Sequence, residues 1–478
     1  MKNTFIDRHF RLVLFLVCLF GAAAYLLLCQ GRLVWMDEAY TFGMIRRSYK
    51  DMCAVTALDV HPPLFYILLK AFSTPFPDKL LAGKIFSVIP YIIIMVFGGV
   101  QFKKLFNAKT GVWFALLFLL FPFMMTYAVE VRMYSVSALF VLVNAVYAYR
   151  AYYYNRKSDW AIFTASGLCA AYTHYFALAS AGVIYIMLFF AAAVKKRELL
   201  KRFFVCAAVT VVLYLPWLRF FLVQLKYKID NEYWIDPITL KTLKSYFFEI
   251  FGIDGGGVAA FAVLGAFCVM IAAAFKGGKG RVAVLGICVP LATTLVGLIA
   301  SVIIRPVFVI RYLLPSIPLF IAAAAIGLGC INKRIVGIIL IAAVAVVGVV
   351  NYGVVYADKN THFEKRLDDA FYARNSDCDA YIVTIDVPVA PGHTETVLAY
   401  YEHEKEIYQV IENYRYYPFE NFRYIEDFDP DKYDRVILFV AEGKEVPEEY
   451  RQIYDCEYRE STTSLWIMTD VYLLTKKH

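Results

Sequence analysis

Residues 11–40, RLVLFLVCLFGAAAYLLLCQGRLVWMDEAY, begin on a basic residue, run through an apolar stretch at 11–29 and finish near a pair of carboxylates, Asp37 and Glu38. A helix needs about 20 apolar residues to cross a bilayer, and 11–29 has that length. The pattern of a long apolar run bounded by charge then recurs as far as Val355, at 80–100, 111–128, 133–152, 159–174, 175–194, 203–222, 257–275, 282–304, 311–330 and 335–355. With 60% apolar and 18% charged residues in 478, the chain lies outside the ordinary soluble range. The reading is an all-α polytopic membrane domain of about eleven transmembrane helices over 1–355, followed by a small C-terminal α/β domain over 356–478. The first run could serve as a signal peptide, but its small residues, Gly21 to Ala24, lie inside it and further runs follow, so it reads as an uncleaved anchor.

Charge between the runs sets an expected orientation. Basic groups precede the first run (Lys2, Arg8, Arg11) and fill every second connection: Lys103/Lys104/Lys109, Arg150/Arg156/Lys157, Lys195 to Arg202, Lys276/Lys279/Arg281 and Lys333/Arg334. Basic connections stay in the cytoplasm, so the N-terminus is expected inside and the C-terminal domain outside a plasma membrane. The formal charge of +8 conceals a division, because 356–478 carries 26 acids against 14 bases. The basic excess thus belongs to membrane topology and gives no argument for nucleic acid. Ten cysteines show no metal-ligand spacing. Cys378 and Cys456 both fall in the outer domain, where either a disulfide or two buried thiols are compatible with the compartment.

Two outward loops, 30–79 and about 223–256, are long while the inward ones are short, which places function outside. Within the first, Leu64–Phe72 is too short to span and is expected as an interfacial helix started by Pro62 and Pro63. The second, with Tyr227, Tyr233, Trp234 and Asp236-Pro237, reads as an interfacial aromatic belt or as a lid over a lipid-borne substrate. In the C-terminal domain β-rich runs occur at 380–385, 406–411, 435–440 and 465–474, with helical patterns near 394–403 and 446–452. It holds no glycine-rich phosphate loop and no nucleophile motif, so a binding or positioning role is expected.

Charged groups at the ends of membrane runs carry the chemistry. Asp37 and Glu38 sit where partial desolvation makes a carboxylate a usable base; the alternative is a helix cap with acids in the first turn. Glu130-Val-Arg132-Met-Tyr134 joins two runs, and Arg132 offers a planar fork for a phosphate or an ion pair with Glu130. Arg305 and Arg311, followed by Tyr312, run against the positive-inside trend and imply an anionic partner, either a lipid headgroup or the phosphate of a sugar carrier. Asp59, His61 and His174 complete the set, as hydrogen-bonding groups or, together with the carboxylates, as ligands of a cation.

The order DEAY (37–40), DVHPPLFYILL (59–69), EVRMYS (130–135) and RPVFVIRYLLPSIP (305–318) resembles the multi-spanning GT-C glycosyltransferases. The likeness is to bacterial relatives of protein O-mannosyltransferases and of the lipid A aminoarabinose transferase, glycosyltransferase family 39 and its neighbours, and covers about 30–320. It implies inverting transfer of a sugar from a polyprenyl-phosphate donor to an acceptor hydroxyl on a protein, lipid or cell-wall polymer. It further implies that Asp37 is the base, that Glu38 shares that role or positions the acceptor, that Arg132, Arg311 and Arg305 stabilise the phosphate leaving group, and that Tyr134 and Tyr312 donate hydrogen bonds there. No Asp-x-Asp motif stands in the first loop, so no cofactor and no obligatory divalent cation is expected. The rival classes are a transporter, which usually keeps its ionisable residues near the bilayer midplane, and a polysaccharide polymerase or ligase, which takes a preassembled chain in place of a monosaccharide carrier.

Overall fold

A computed structural model describes residues 5–477 apart from 32–33, 60, 231–234, 236, 253–256, 305, 361–370, 372–373, 386–390, 411–418 and 465–466. The short α1 (Phe5–Arg8) leads into α2 (Phe10–Leu28), and the first long loop folds into three helices, α3 (Met36–Arg46), α4 (Tyr49–Leu58) and α5 (Leu64–Ser73). The bundle continues with α6 (Lys79–Leu105), α7 (Ala108–Leu120), α8 (Pro122–Thr126), α9 (Tyr134–Tyr154), α10 (Lys157–Thr173) and α11 (Tyr175–Lys195). It ends with α12 (Leu200–Asp230), α13 (Leu240–Phe251), α14 (Gly257–Lys276), α15 (Gly280–Ile303), α16 (Ile317–Cys330) and α17 (Arg334–Asn360).

Helices occupy all eleven apolar runs, but among the described residues seven are long and apolar enough to span: α2, α6, α11, α14, α15, the stretch Arg197–Lys226 that contains most of α12, and most of α17. Of the other four runs, that at 159–174 forms a helix of only 17 residues, and the remaining three depart from the expectation for physical reasons. Pro122 divides the run at 111–128 into the 13-residue α7 and the 5-residue α8, since proline lacks the N–H that a continuous helix requires. The run at 311–330 opens as a 3-10 turn, Ile310–Leu313, before the 14-residue α16. Most of α7 and α16 is buried among other helices, so protein rather than lipid surrounds them. In α9 the polar Asn144 bonds the Phe163 carbonyl and Arg150 pairs with Asp159 of α10 at 2.9 Å, which lowers apolarity without exposing a charge to hydrocarbon.

Close packing rests on small residues, as is common where lipid supplies no hydrophobic drive between helices. Helices α6 and α7 cross at Gly99 and Gly111, where a methyl on Gly111 would strike the Gly99 carbonyl oxygen. Side chains set several starts: Asp78 accepts from the Leu81 amide, Asn107 from Thr110 and Ser48 from Asp51. The loop expected at 223–256 is partly helical, because α12 continues to Asp230 and α13 fills Leu240–Phe251. Tyr233, Trp234 and Asp236 of the expected belt or lid lie outside the described residues.

The C-terminal part forms one sheet in the order β3-β2-β1-β4-β6-β5, from β1 (Ala380–Val383), β2 (Glu406–Gln409), β3 (Phe422–Tyr424), β4 (Arg435–Ala441), β5 (Tyr454–Ser464) and β6 (Ile467–Lys476). Strands β3, β2, β1 and β4 run parallel, and β6 and β5 turn antiparallel at one edge. Helices α18 (Pro391–Tyr401) and α19 (Glu448–Ile453) accompany it. Alternate residues serve two cores: Ile382, Val436 and Leu438 pack with Tyr433 and Tyr450, whereas Tyr381, Ile437 and Phe439 join the layer holding Leu398 and the main body. Cys378 and Cys456 are free thiols, the first buried and the second exposed. Cys456 lies on β5, three strand spacings or roughly 14 Å from β1, too far for a disulfide.

Helix α18 docks on α3. The Arg46 guanidinium donates to the Tyr400 and Ala399 carbonyls at 3.0 and 3.4 Å, where a helix C-terminus offers unsatisfied oxygens. The Phe42 and Tyr400 rings lie 5.3 Å apart. Gly43 leaves room for Phe419, since a methyl there would come within 2.8 Å of its ring.

Within the sheet, Glu406 is held down to a pKa of about 2 by hydrogen bonds from Lys432 and Tyr433, aided by Tyr408 and Arg423 and opposed by its partial burial. A carboxylate whose folded pKa lies below the unfolded ~4.3 stabilises the fold above that pH and ceases to as pH falls toward 2. Thermal unfolding of the full chain should therefore lose stability steadily between about pH 5 and 2. Glu406→Gln should be less stable than the parent at pH 7 and should show a shallower decline; equal slopes would remove Glu406 from that role.

Candidate active site

The site is built where α3 starts, where α8 turns into α9 and where α15 hands over to α16. Asp37 occupies the first turn of α3, with Trp35 rather than Asp37 as the N-cap. Its Oδ2 lies 3.7 Å from Arg132 Nε and 3.6 Å from Arg311 Nη2. These are ion-pair distances, longer than hydrogen bonds, so the carboxylate sits between two guanidiniums without being closed off by either. Its side chain is 17% exposed, so it keeps some contact with solvent.

Arg132 is buried and anchored by several groups at once. Nη1 donates to the Asp37 carbonyl at 3.1 Å and to Thr41 Oγ1 at 3.2 Å, while Nη2 meets His61 Nε2 at 3.0 Å. Because a guanidinium only donates, His61 Nε2 accepts, which puts the proton of its neutral imidazole on Nδ1. Burial works against the Arg132 charge, but Asp37, with further help from Tyr66, Tyr134 and Asp59, raises its pKa well above the ordinary value. Arg132 is thus a permanent cation.

Glu38 faces a different way. Its Oε1 accepts from the Val131 amide at 3.0 Å and its Oε2 from the Trp35 amide at 3.4 Å. The buried carboxylate therefore ties the start of α3 to the Glu130–Arg132 turn. Charge-assisted bonds of this kind are about twice as strong as neutral ones, which fixes Asp37 relative to Arg132. Glu130 is buried in the same turn, and its carbonyl accepts from the Arg132 amide at 2.7 Å. The contacts of the Arg132 side chain run to α3 and His61.

Aromatic rings wall this group. His174, between α10 and α11, lies 5.6 Å from the His61 ring, 5.9 Å from Tyr134 and 5.0 Å from Tyr312. Its Nδ1 accepts from the Phe176 amide at 3.2 Å, leaving Nε2 to carry the proton. Tyr134 and Tyr312 are both buried. Arg311, at the 3-10 turn, lies over the Trp35 ring with its guanidinium carbon 5.5 Å from the ring centroid, a cation–π contact. Asp59 stands at the C-cap of α4, close enough for its charge to act on Arg132.

Ten of the eleven residues singled out from sequence are described, and they gather at one end of the bundle; Arg305 lies outside the described residues. Thr41, Trp35, Tyr66 and Glu249 join these residues without standing out in the sequence pattern. Thr41 follows Asp37 by one helical turn, a spacing that was available as a signal. Glu249 accepts from the Tyr127 hydroxyl at 2.6 Å and stands on α13, in a stretch whose sequence pattern suits a loop. The described residues contain no cluster of three His, Cys, Asp or Glu placed to hold a metal.

Helices long enough to span define an integral membrane protein with a charged site at one end of its bundle, and its fold is of the GT-C class, as the likeness to a solved structure shows. The chain is similar over 96% of its length to the crystal structure of ArnT from Cupriavidus metallidurans in the apo state, with a TM-score of 0.65 at 11% identity and 97% of that chain covered. The same protein bound to undecaprenyl phosphate matches with a TM-score of 0.63 over the same shares of both chains, again at 11% identity. The Archaeoglobus fulgidus oligosaccharyltransferase matches more weakly, with a TM-score of 0.49 at 14% identity over 80% of this chain and 61% of its own. No family model matches the sequence, and no curated protein does.

Burial, followed by the charges of Arg132 and Arg311, pushes His174 down to about 3. The unfolded imidazole binds its proton near 6.5, so the unfolded state holds more protons between these values. The contribution of His174 to stability is complete above about pH 6.5 and is lost as pH falls toward 3. In full-length protein labelled at histidine, the His174 ring resonances should stay those of a neutral imidazole from pH 8 to 5. A midpoint near 6.5 would contradict the arrangement.

Proposed function

We propose that this chain is an inverting glycosyltransferase that moves a sugar from a polyprenyl-phosphate donor to an acceptor hydroxyl on the extracytoplasmic face of the plasma membrane. The observation that carries this reading is the Asp37 carboxylate between two guanidiniums, Arg132 and Arg311. The likeness in fold to a protein crystallised with undecaprenyl phosphate supports the donor class. The basic connections support an orientation with the N-terminus in the cytoplasm and the C-terminal domain, 356–478, outside; the membrane domain then covers 1–355.

The geometry suggests an order of events. A lipid-linked phosphate entering the site competes with Asp37 for Arg132 and Arg311, because its oxygens accept from both forks. Asp37 is released from its ion pairs as the phosphate takes them over. It then accepts the proton of the acceptor hydroxyl while that oxygen attacks the anomeric carbon. The bond between this carbon and the phosphate oxygen breaks on the opposite face, the electron pair leaves with the phosphate, and the configuration inverts. The two guanidiniums stabilise the charge that develops there, in a largely buried site where such stabilisation is stronger than in open water. Tyr134 and Tyr312 line the same wall and serve as hydrogen-bond donors to the leaving phosphate. Glu38 acts as a positioning residue, since both its oxygens are engaged by backbone amides.

The acceptor is a hydroxyl of protein, lipid or cell-wall polymer, and α18 on α3 gives the C-terminal domain a way to hold the catalytic helix. With purified protein in nanodiscs and a labelled polyprenyl-phosphate sugar, Asp37→Asn should lower turnover by about 10²–10⁴, and Arg311→Ala by about 10²–10³. Full transfer by both variants, normally inserted, would end the proposal. Because the leaving group is neutralised by arginine, transfer should also survive excess chelator; loss of activity with rescue by a divalent ion would assign the charge stabilisation to a metal.

A further inference from the structure

The end of the bundle remote from Asp37 contains a cavity of about 580 Å³ between the far ends of α6, α9, α11, α15 and α16. Its size falls within the roughly 300–1,000 Å³ of ordinary ligand pockets. Along α9, Tyr134 belongs to the site and Tyr149 to this cavity, about 22 Å further at 1.5 Å per residue. The depth is apolar, lined by Ala145, Leu188, Val289 and Ala323. Its flank opens sideways past Phe190, Val194 and Leu285, all exposed on the membrane-facing surface. Helices α11 and α15, which carry these residues, are both long and apolar enough to span a membrane.

The rim has the opposite character. Lys195, Lys196 and Arg281 border it together with Tyr149, Tyr152 and Tyr153. Lys196 is held in place, donating to the Tyr152 carbonyl at 2.9 Å and lying 4.7 Å above that residue's ring. At the same end Arg150 is matched by Asp159. Among the described residues, Lys195, Lys196 and Arg281 have no carboxylate within ion-pair distance. Three cations over an apolar slot are complementary to a phosphate carrying an acyl chain.

We propose that this cavity binds an anionic phospholipid of the surrounding bilayer, with one acyl chain in the slot and its phosphate between Lys195, Lys196 and Arg281. Zwitterionic lipids fill the slot equally well but carry a cationic group against the same rim, so the site discriminates by headgroup. Its occupant holds together the far ends of α9 and α11, whose near ends border Tyr134 and His174. The proposal is independent of the transfer reaction.

Full-length protein in detergent, incubated with equal amounts of phosphatidylglycerol and phosphatidylcholine of identical chains, tests it by native mass spectrometry. One phosphatidylglycerol should be retained in preference. The preference should fall roughly fivefold for each of Lys195→Gln, Lys196→Gln and Arg281→Gln, exposed or half-exposed positions where folding is not at stake. Leu285→Trp, which fills the mouth and leaves the cations, should abolish retention. Equal retention of both lipids, an unchanged preference in the triple variant, or retention by Leu285→Trp would each overturn the proposal. So would retention of undecaprenyl phosphate alone in a parallel incubation.

Discussion

Asp37 held between Arg132 and Arg311 is the contact around which the rest of the membrane part is organised. Removing an ion from water costs several kcal/mol even after relaxation, so buried charge persists only when it is paired. The three residues come from segments far apart in the chain, and each is fixed by its own support. Glu38 binds the start of α3 to the turn that carries Arg132, and Trp35 carries the Arg311 guanidinium on its face. A charged centre assembled in this way needs rigid helices behind it, which the glycine-mediated crossing of α6 and α7 helps to supply.

The helix bearing Asp37 is also the point where two parts of the molecule meet. Its N-terminal turn faces the two arginines, and its far end, at Phe42 to Arg46, receives α18 of the sheet domain. The sheet domain therefore touches the same short helix that carries Asp37. The bundle has a comparable polarity: one end gathers carboxylates, guanidiniums and imidazoles, while the other has Lys195, Lys196 and Arg281 around apolar space. A protein that must work at a membrane surface benefits from separating the two.

The long apolar runs made the helices legible, because a helix in a water-soluble core seldom stays apolar for about 20 residues together. They did not distinguish helices that face lipid from those that face protein. Runs at 111–128 and 311–330 look like spans, yet Pro122 and the turn at Ile310–Leu313 divide them, and their helices are enclosed by neighbours. In the C-terminal part the buried parallel strands were visible as apolar runs. The short edge strand β3, and β5 with its charged face in Tyr454–Ser464, were not, since a strand exposed on one side or three residues long leaves little apolar pattern. Helix α13 was missed because its many aromatic residues also suit an interfacial loop.

By itself the amino-acid sequence determined that the chain lives in a membrane, that its ionisable residues cluster at the ends of runs, and which carboxylates and arginines were candidates for chemistry. Those properties are local, set by hydropathy and by the cost of placing charge in hydrocarbon. Only the tertiary structure decided what each acid faces. Asp37 faces two guanidiniums and Glu38, its immediate neighbour, faces backbone amides, because successive residues on a helix point about 100° apart and the surroundings of each direction come from distant segments.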